Sequence, residues 1–332
     1  MKFVESYSND PEYNLAFEEY CFKNLPVEHE TYLFLWINAP AIIIGKNQNA
    51  YAEINSDYVN EKGIRVVRRI TGGGAVYHDL GNLNFSIIEK CSDNKKIDFK
   101  KYYTAIITAL RELDLNAELS GRNDVTIDGK KCIGASQAIW EHRTLSNGCI
   151  LFDVKLNELS KALTVRPEKL KAKGVKSVSA RVENIRPQLK NDMDIEAFKA
   201  HLLQSLFAQR GEAPIEYVLS ETEHAGVQEI YRNRFSQKSW NYGKKLKADF
   251  HRYRYFPSGA VELFFDVVEE KLKGLTILGD FFSTADVSEL ERILEGCSYT
   301  EEALRTALAE TDLQPFFGGI SRDDFIALFF LP

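Results

Sequence analysis

At 332 residues, 44% hydrophobic and 27% charged, the chain has the size and composition of an ordered protein with one large domain and a small one, which excludes a disordered chain. Its 42 basic against 48 acidic residues give a net charge of -6, which argues against a general nucleic-acid binder. Met1-Lys2-Phe3-Val4-Glu5 lacks the apolar core of a signal peptide, no stretch approaches the ~20 apolar residues of a membrane span, and five scattered cysteines, never spaced Cys-x-x-Cys, fit reduced cytoplasmic thiols without a zinc site.

In chain order, a turn at Pro11 leads into a helix over 11–24, where Leu15, Phe17, Tyr20 and Cys21 recur at helical spacing. Residues 31–37 and 41–44 read as strands separated by Asn38-Ala39-Pro40, followed by a polar loop, Gly45-Lys46-Asn47-Gln48-Asn49. A short helix over 54–62 ends at Gly63, before a strand that enters Arg68-Arg69-Ile70-Thr71-Gly72-Gly73-Gly74-Ala75-Val76. Three glycines in a strand-rich stretch sacrifice backbone entropy and packing, so the backbone there must pass close to something else. The adjacent arginines offer always-charged planar forks for phosphate or carboxylate. Neither a P-loop nor a dinucleotide fingerprint is present. Taken alone, the stretch reads equally as an anion site and as a turn beside a solvated face.

Residues 83–88 resume as a strand, and Asp98 is predicted to cap a helix to Leu113. Asp128-Gly129 turns a hairpin between 124–127 and 131–138, and Asn147-Gly148 reads as a second turn before a strand over 149–154. Lys131 starts the second hairpin strand, which continues into Gly134, Ala135 and Ser136; those small side chains leave a groove beside the lysine. The plain alternative is a surface lysine after a tight turn. A short helix over 156–163, a basic segment over 167–182 and a helix capped by Asp194 follow. Strands over 246–256, 261–268 and 275–282 then precede helices over 288–295 and 301–309, with capping-box pairs Ser288/Glu291 and Ser298/Glu301. They predict a compact α+β module of ~85 residues. Trp240-Asn241-Tyr242-Gly243-Lys244-Lys245 stands where a linker would.

Arg68 to Asn82, read as Arg-Arg-x-Thr-Gly-Gly-Gly-x-Val-x-His-Asp-x-Gly-Asn, is followed by Asn123-Asp124 and by Gly129-x-Lys131-x-x-Gly134-x-Ser136. With Trp36-x-Asn38-x-Pro40, Gly45-Lys46-x-Gln48-Asn49, and Ser177-Val178-Ser179-Ala180-Arg181-Val182-Glu183-Asn184, this ordered set resembles the lipoate-protein ligase family over essentially the whole chain. The closing module is similar to the C-terminal domain of the bifunctional ligases, which stand-alone transferases generally lack. The resemblance implies an α/β (α+β) fold: a large biotin-ligase-like catalytic domain over 1-243, with mixed sheets flanked by helices, and a small C-terminal α+β domain over 248-332, joined by a linker at 240-248.

The same resemblance implies ATP and Mg2+ as cofactors and lipoate as substrate. Lipoate and MgATP form lipoyl-AMP and pyrophosphate; a lysine of an apo lipoyl domain then takes the acyl group and releases AMP. The acceptors implied are 2-oxoacid dehydrogenase E2 subunits, the glycine-cleavage H protein, or both, served by a cytoplasmic monomer that needs neither nucleic acid nor membrane. Lys131 matches the essential lysine, bridging carboxylate and α-phosphate; a compact ammonium suits such successive contacts. Arg69 is placed on the carboxylate or phosphate, with Gly72, Gly73, Gly74, Ala75 and Val76 letting the backbone approach the acyl-adenylate. Asn82, Asn84, Phe85 and Gly134 complete the nucleotide side, Asp124 is the candidate Mg2+ ligand with Asn123 assisting, and Trp36, Arg69, His78 and Ala135 line the lipoate pocket. His78 and Asp79 are read as structural or substrate-lining rather than a catalytic dyad, and Cys132 as turned to the opposite strand face. Thr71, Cys132, Ala135 and Lys46 depart mildly from the family pattern, which bears on acyl-chain preference. Lys169, Lys171, Lys173 and Lys176 form either a basic edge for acidic acceptors or a solvated charge run. Three other readings remain: an ATP-independent octanoyl or lipoyl transferase; a biotin ligase, whose Gly-Arg-Gly-Arg loop is missing; and a lipoate-binding protein without activity, against which Lys131 speaks.

Overall fold

The computed structural model describes residues 1–91, 97–121, 123–164, 166, 182–243 and 245–331. The Lys169, Lys171, Lys173 and Lys176 edge and the first part of the motif beginning at Ser177 lie outside the described residues. The chain is mixed α/β, with sheets flanked by helices and a C-terminal α+β region.

The largest sheet runs in the order β1 (Lys2–Val4), β2 (Tyr32–Ile37), β6 (Asn82–Lys90), β10 (Arg143–Leu151), β9 (Lys130–Trp140), β8 (Asp124–Ile127) and β7 (Ala117–Ser120). Only the β1 and β2 pair is parallel. Strand alternation divides its residues between two cores. Leu33, Leu35, Leu83, Phe85, Ile133 and Ile150 face α4 (Lys100–Arg111) and the helix Ile195–Ala208. Tyr32, Phe34 and Trp36 face α1 (Pro11–Asn24), which begins cleanly because the Asp10 side chain accepts from the backbone N–H groups of Glu12 and Tyr13. On that second face lies a small sheet, β4 (Arg65–Arg68), β3 (Ala41–Ile44) and β5 (Val76–His78), covered outside by α2 (Ala50–Glu53), α3 (Ser56–Lys62) and α5 (Leu156–Ala162). The gap between the two sheets becomes the cavity described below.

Asp128-Gly129 makes the expected hairpin, both residues at positive φ of 48° and 81°. Asn147-Gly148 does not turn. Both lie inside β10, because Gly148 lets the Phe85 ring pass where a Cβ would stand 2.6 Å from it, and the chain reverses instead at Glu141, φ 53°. The capping-box pairs also differ: Thr300 rather than Ser298 caps the helix Glu301–Ala307, and Ser288 opens its helix behind Val287. A capping box that sequence reading passed over, Ser220 with Glu223, starts the helix Glu221–Ile230.

In the last part of the chain, β11 (Phe250–Phe256), β12 (Gly259–Val268) and β13 (Lys271–Gly279) form an antiparallel meander with its own core, closed by helices between Ser288 and Phe329. Trp240 and Asn241 precede it in a short helix tied to Arg68: the indole N–H donates to the Arg68 carbonyl at 2.9 Å, and Asn241 Oδ1 accepts from its N–H at 3.0 Å. The meander touches the Gly triplet directly. Gly73 N–H donates to the Phe281 carbonyl at 3.4 Å, Gly279 N–H donates to Asn47 at 2.7 Å, and the Phe282 ring packs edge-on against Phe99. A Cβ on Gly72 would stand 2.6 Å from the Phe281 carbonyl oxygen, a backbone atom that cannot yield cheaply. Gly72→Ala is therefore expected to loosen this seam while leaving both cores folded. The measurement is amide hydrogen exchange at Gly73 and Gly279, which should accelerate at least about 10-fold with unchanged protection of β6 and β12; unchanged exchange at the seam would contradict it.

Candidate active site

Lys131 owes its position to a bulge. In the β8 and β9 ladder Thr126 pairs with Lys131 and Val125 with Ile133, so Cys132 is the extra residue. The inserted residue shifts the alternation, putting Lys131 and Gly134 on one face while Cys132 and Ile133 enter the core. The Lys131 side chain crosses Gly134 so closely that a Cβ there would stand 2.7 Å from Nζ. Its ammonium is 2.7 Å from Asp124 Oδ1, and both side chains are mostly shielded from solvent. Buried in the apolar core, the Cys132 thiol is pushed up to about 12, which makes it a poor nucleophile.

These groups border a cavity of about 250 Å³ between the two sheets. From the large sheet it is lined by Trp36, Asn84, Asp124, Lys131, Gly134 and Ala135; from the small sheet and the loop before it, by Arg69, Gly73, Gly74, Ala75, Val76 and His78. Three anticipated residues do not line it. Phe85 points into the opposite core, because alternation that turns Asn84 toward the cavity must turn Phe85 away. Asn82 shares the face of Asn84 but donates from Nδ2 to the Ile150 carbonyl at 2.8 Å. Gly72 is turned to Phe281 instead.

Arg69 is fully buried, and desolvation lowers its pKa to about 10. No carboxylate pairs with it among the described residues. Its N–H groups go to the carbonyls of Ile43, Gly72 and Gly74 and to Thr71 Oγ1, so the guanidinium shapes the glycine loop from inside. Thr71 Oγ1 then meets Ser136 Oγ at 2.7 Å, which donates to Asn147, whose Nδ2 donates to Glu18. Burial raises the Glu18 pKa despite those donors. The neighbouring Arg68 donates to the carbonyls of Gly45, Lys46, Gln48 and Trp240, which makes it a structural clamp. His78 is held neutral, its pKa pushed down to about 3 by burial and then by Arg69. Asp79 accepts from the backbone of Gly81 and Lys155 rather than from His78, so the two form no dyad.

Sequence reading had no signal for several lining groups. Asn147 and Cys149 come from a strand misread at its start, and Tyr255, Gly259, Asp280 and Phe282 come from the C-terminal meander. Their approach depends on how the two cores dock.

A family model of the lipoyl protein ligase A/B catalytic domain matches residues 10–207, and one of the bacterial lipoate protein ligase C-terminus matches residues 245–329. The chain belongs to the lipoate-protein ligase family. It is 42% identical to lipoate-protein ligase LplJ of Bacillus subtilis, covering 99% of this chain and 100% of that one, and 42% identical to lipoate-protein ligase 1 of Staphylococcus aureus, covering 99% of each. The solved structure of P. falciparum LipL1 in complex with lipoate superposes with a TM-score of 0.79 at 25% identity, over 98% of this chain and 97% of that one. A lipoate-protein ligase A structure bound with ATP superposes with a TM-score of 0.63 at 27% identity, over 73% of this chain and 98% of that one.

Two expectations follow for this ligase. In Gly134→Ala the nearest clash is with the flexible end of Lys131, so the fold should persist within ~1 kcal/mol while Lys131 is displaced and turnover falls at least about 100-fold; urea unfolding alongside turnover checks both, and wild-type turnover would contradict it. His78 has a folded pKa of about 3, below its unfolded value of 6.5, so its contribution to stability is present above pH 6.5 and is lost as pH falls. Between pH 7 and pH 5 the wild type should lose about 2 kcal/mol more than His78→Phe, read from urea midpoints at each pH; parallel losses would rule this out.

Proposed function

We propose that this chain is an ATP-dependent lipoate-protein ligase that converts lipoate to lipoyl-AMP and then transfers the lipoyl group to a lysine of apo lipoyl domains. The observation that carries the reading is Lys131, aimed across Gly134 into a cavity whose other contributors are a glycine loop and an apolar slot. Joining a carboxylate to an α-phosphate brings two anions together, and positive charge fixed in advance meets that demand without reorganisation. Lys131 Nζ, held over Gly134 beside Asp124 Oδ1, holds the carboxylate oxygen against the α-phosphate and later stabilises departing AMP. Arg69 adds a buried charge behind the loop, and Gly73, Gly74, Ala75, Val76, Asn84 and Gly134 leave room for the adenylate. Trp36, His78 and Ala135 line the acyl slot.

The residues also fit Mg2+. Asp124 presents a hard carboxylate oxygen to the cavity, the donor type that Mg2+ takes beside substrate phosphates. Asp124 would supply that carboxylate, and the ion would neutralise phosphate charge when bound.

Residues 1-243 are read as the catalytic unit and 248-332 as an accessory unit, with the covalent link at 240-248. Tyr255, Gly259, Asp280 and Phe282 border the cavity from the accessory side, so that unit shields the adenylate from water and must withdraw to admit an acceptor lysine. A structure of an archaeal bi-partite lipoate protein ligase and its E2 lipoyl domain, from Thermoplasma acidophilum, superposes with a TM-score of 0.65 at 30% identity. It supports E2 lipoyl domains as acceptors here, with the glycine-cleavage H protein as the other candidate. No helix of the described residues is long and apolar enough to cross a membrane, and the reading takes the enzyme as a cytoplasmic monomer.

The test is lipoate-dependent pyrophosphate release from ATP, followed by mass spectrometry of an added apo lipoyl domain. The expected result is release that requires lipoate, plus one lipoyl group on the acceptor lysine. Lys131→Ala should cut adenylation at least about 100-fold with the fold intact. Acyl transfer from a carrier protein without ATP would make the chain a transferase instead.

A further inference from the structure

The end of the cavity away from Lys131 carries a hydrogen-bond donor that the chain itself does not use. His78 lines the cavity from β5, is 4% exposed, and meets Trp36 edge-on with ring centroids 6.3 Å apart. Its Nε2 is buried and, among the described residues, has no hydrogen-bond partner.

Which ring nitrogen holds the proton follows from amides anchored on the backbone. Asn14 Nδ2 lies 2.9 Å from the Ser8 carbonyl and 3.3 Å from the Ile37 carbonyl; carbonyls only accept, so the amide nitrogen stands there. It also donates to Asn38 Oδ1 at 2.9 Å. Asn38 must then turn its own Nδ2 toward His78 Nδ1, at 3.2 Å. Nδ1 accepts, and the single proton of the neutral ring sits on Nε2.

Strand register sets the distance from this donor to the ammonium. Trp36 stands opposite Asn84, Asn84 opposite Cys149, and Cys149 opposite Gly134, over which Lys131 lies. Three strand spacings of ~4.8 Å separate Trp36 from Gly134, or ~14 Å. An extended eight-carbon acid ending in a five-membered ring spans such a slot, with its carboxylate at Lys131 and its ring at Trp36 and His78. Leu15, Ile43 and Val76 make the intervening walls apolar.

We propose that His78 is a specificity-determining residue: its Nε2–H, held in that tautomer by Asn14 and Asn38, donates to a sulfur of the lipoyl dithiolane and favours the sulfur-bearing tail over an all-carbon tail of equal length. The inference rests on the lipoate-ligase reading and deepens it at one atom. An all-carbon tail leaves the N–H buried and unpaired, which is unfavourable. Divalent sulfur is a weak acceptor, but it offsets part of that cost. Asn38 is a positioning residue, acting through His78.

The test uses the full chain with ATP and an apo lipoyl domain, comparing lipoate with octanoate for the wild type and His78→Phe. In parallel, histidine-labelled wild type is titrated with each free acid and followed by nitrogen NMR. The expected results are a free-state His78 protonated on Nε2, an Nε2 resonance that moves with lipoate and not with octanoate, and a lipoate-to-octanoate ratio of kcat/KM that falls roughly 5- to 10-fold in His78→Phe, chiefly through the KM for lipoate. An unchanged ratio, a proton on Nδ1, or the same resonance shift with both acids would overturn the proposal. Should His78→Phe fail to fold, the NMR titration decides by itself. Wild type that ligates both acids without discrimination removes the inference and leaves the ligase reading standing; wild type that releases no pyrophosphate with either acid removes both.

Discussion

A buried guanidinium is costly unless its N–H groups find acceptors, and Arg69 makes four hydrogen bonds, none of them to a carboxylate. Carbonyls of β3 and of the glycine loop take its protons, so the loop can adopt few other shapes while the charge stays inside. Thr71 passes the constraint on through Ser136 and Asn147 to Glu18 on α1, a polar thread from the small sheet across the large one. Buried hydrogen bonds of this kind are costly to break, and the thread ends at Glu18, whose Oε2 has no partner among the described residues. The gap between the sheets, and so the cavity, is held at a set width by this thread rather than by apolar packing alone.

The second constraint is close approach. Gly45 would place a Cβ 1.9 Å from the Gly73 carbonyl oxygen, and Gly73 itself, at φ 90°, lies against the Phe282 ring. Loop, polar turn and C-terminal meander meet at glycines because no side chain fits between them. Lys131, the glycine loop and the Phe282 ring therefore border one cavity at the junction between two separately built cores. Chemistry that must be dry in one step and open in the next suits a junction of that kind.

Much of this was legible in the residues. The helix capped by Asp194, the Asp128-Gly129 hairpin and the closing strands and helices follow from periodicity and turn chemistry, since those signals are local. The ordered motifs around Arg69 and Lys131 pointed to the family, and the relatives at 42% identity agree with them. Local signals also misled. Asn147-Gly148 has the look of a turn, yet its glycine answers the Phe85 ring on a neighbouring strand, and its asparagine answers Glu18 on a distant helix. Phe85 directly follows Asn84 in the same strand, and only the pleat separates it from the cavity.

By itself, then, the sequence determined the family, the ordered motifs that carry Arg69 and Lys131, and the mixed α/β class, because these rest on residue identity and short-range pattern. Tertiary structure decided which groups meet. The bulge at Cys132 aims Lys131 across Gly134, the docking of two cores brings Phe282 to the glycine loop, and the amide chain from Asn14 sets the proton on His78. Each of these depends on atoms far apart in the chain brought within a few ångströms, which no periodicity along the chain encodes.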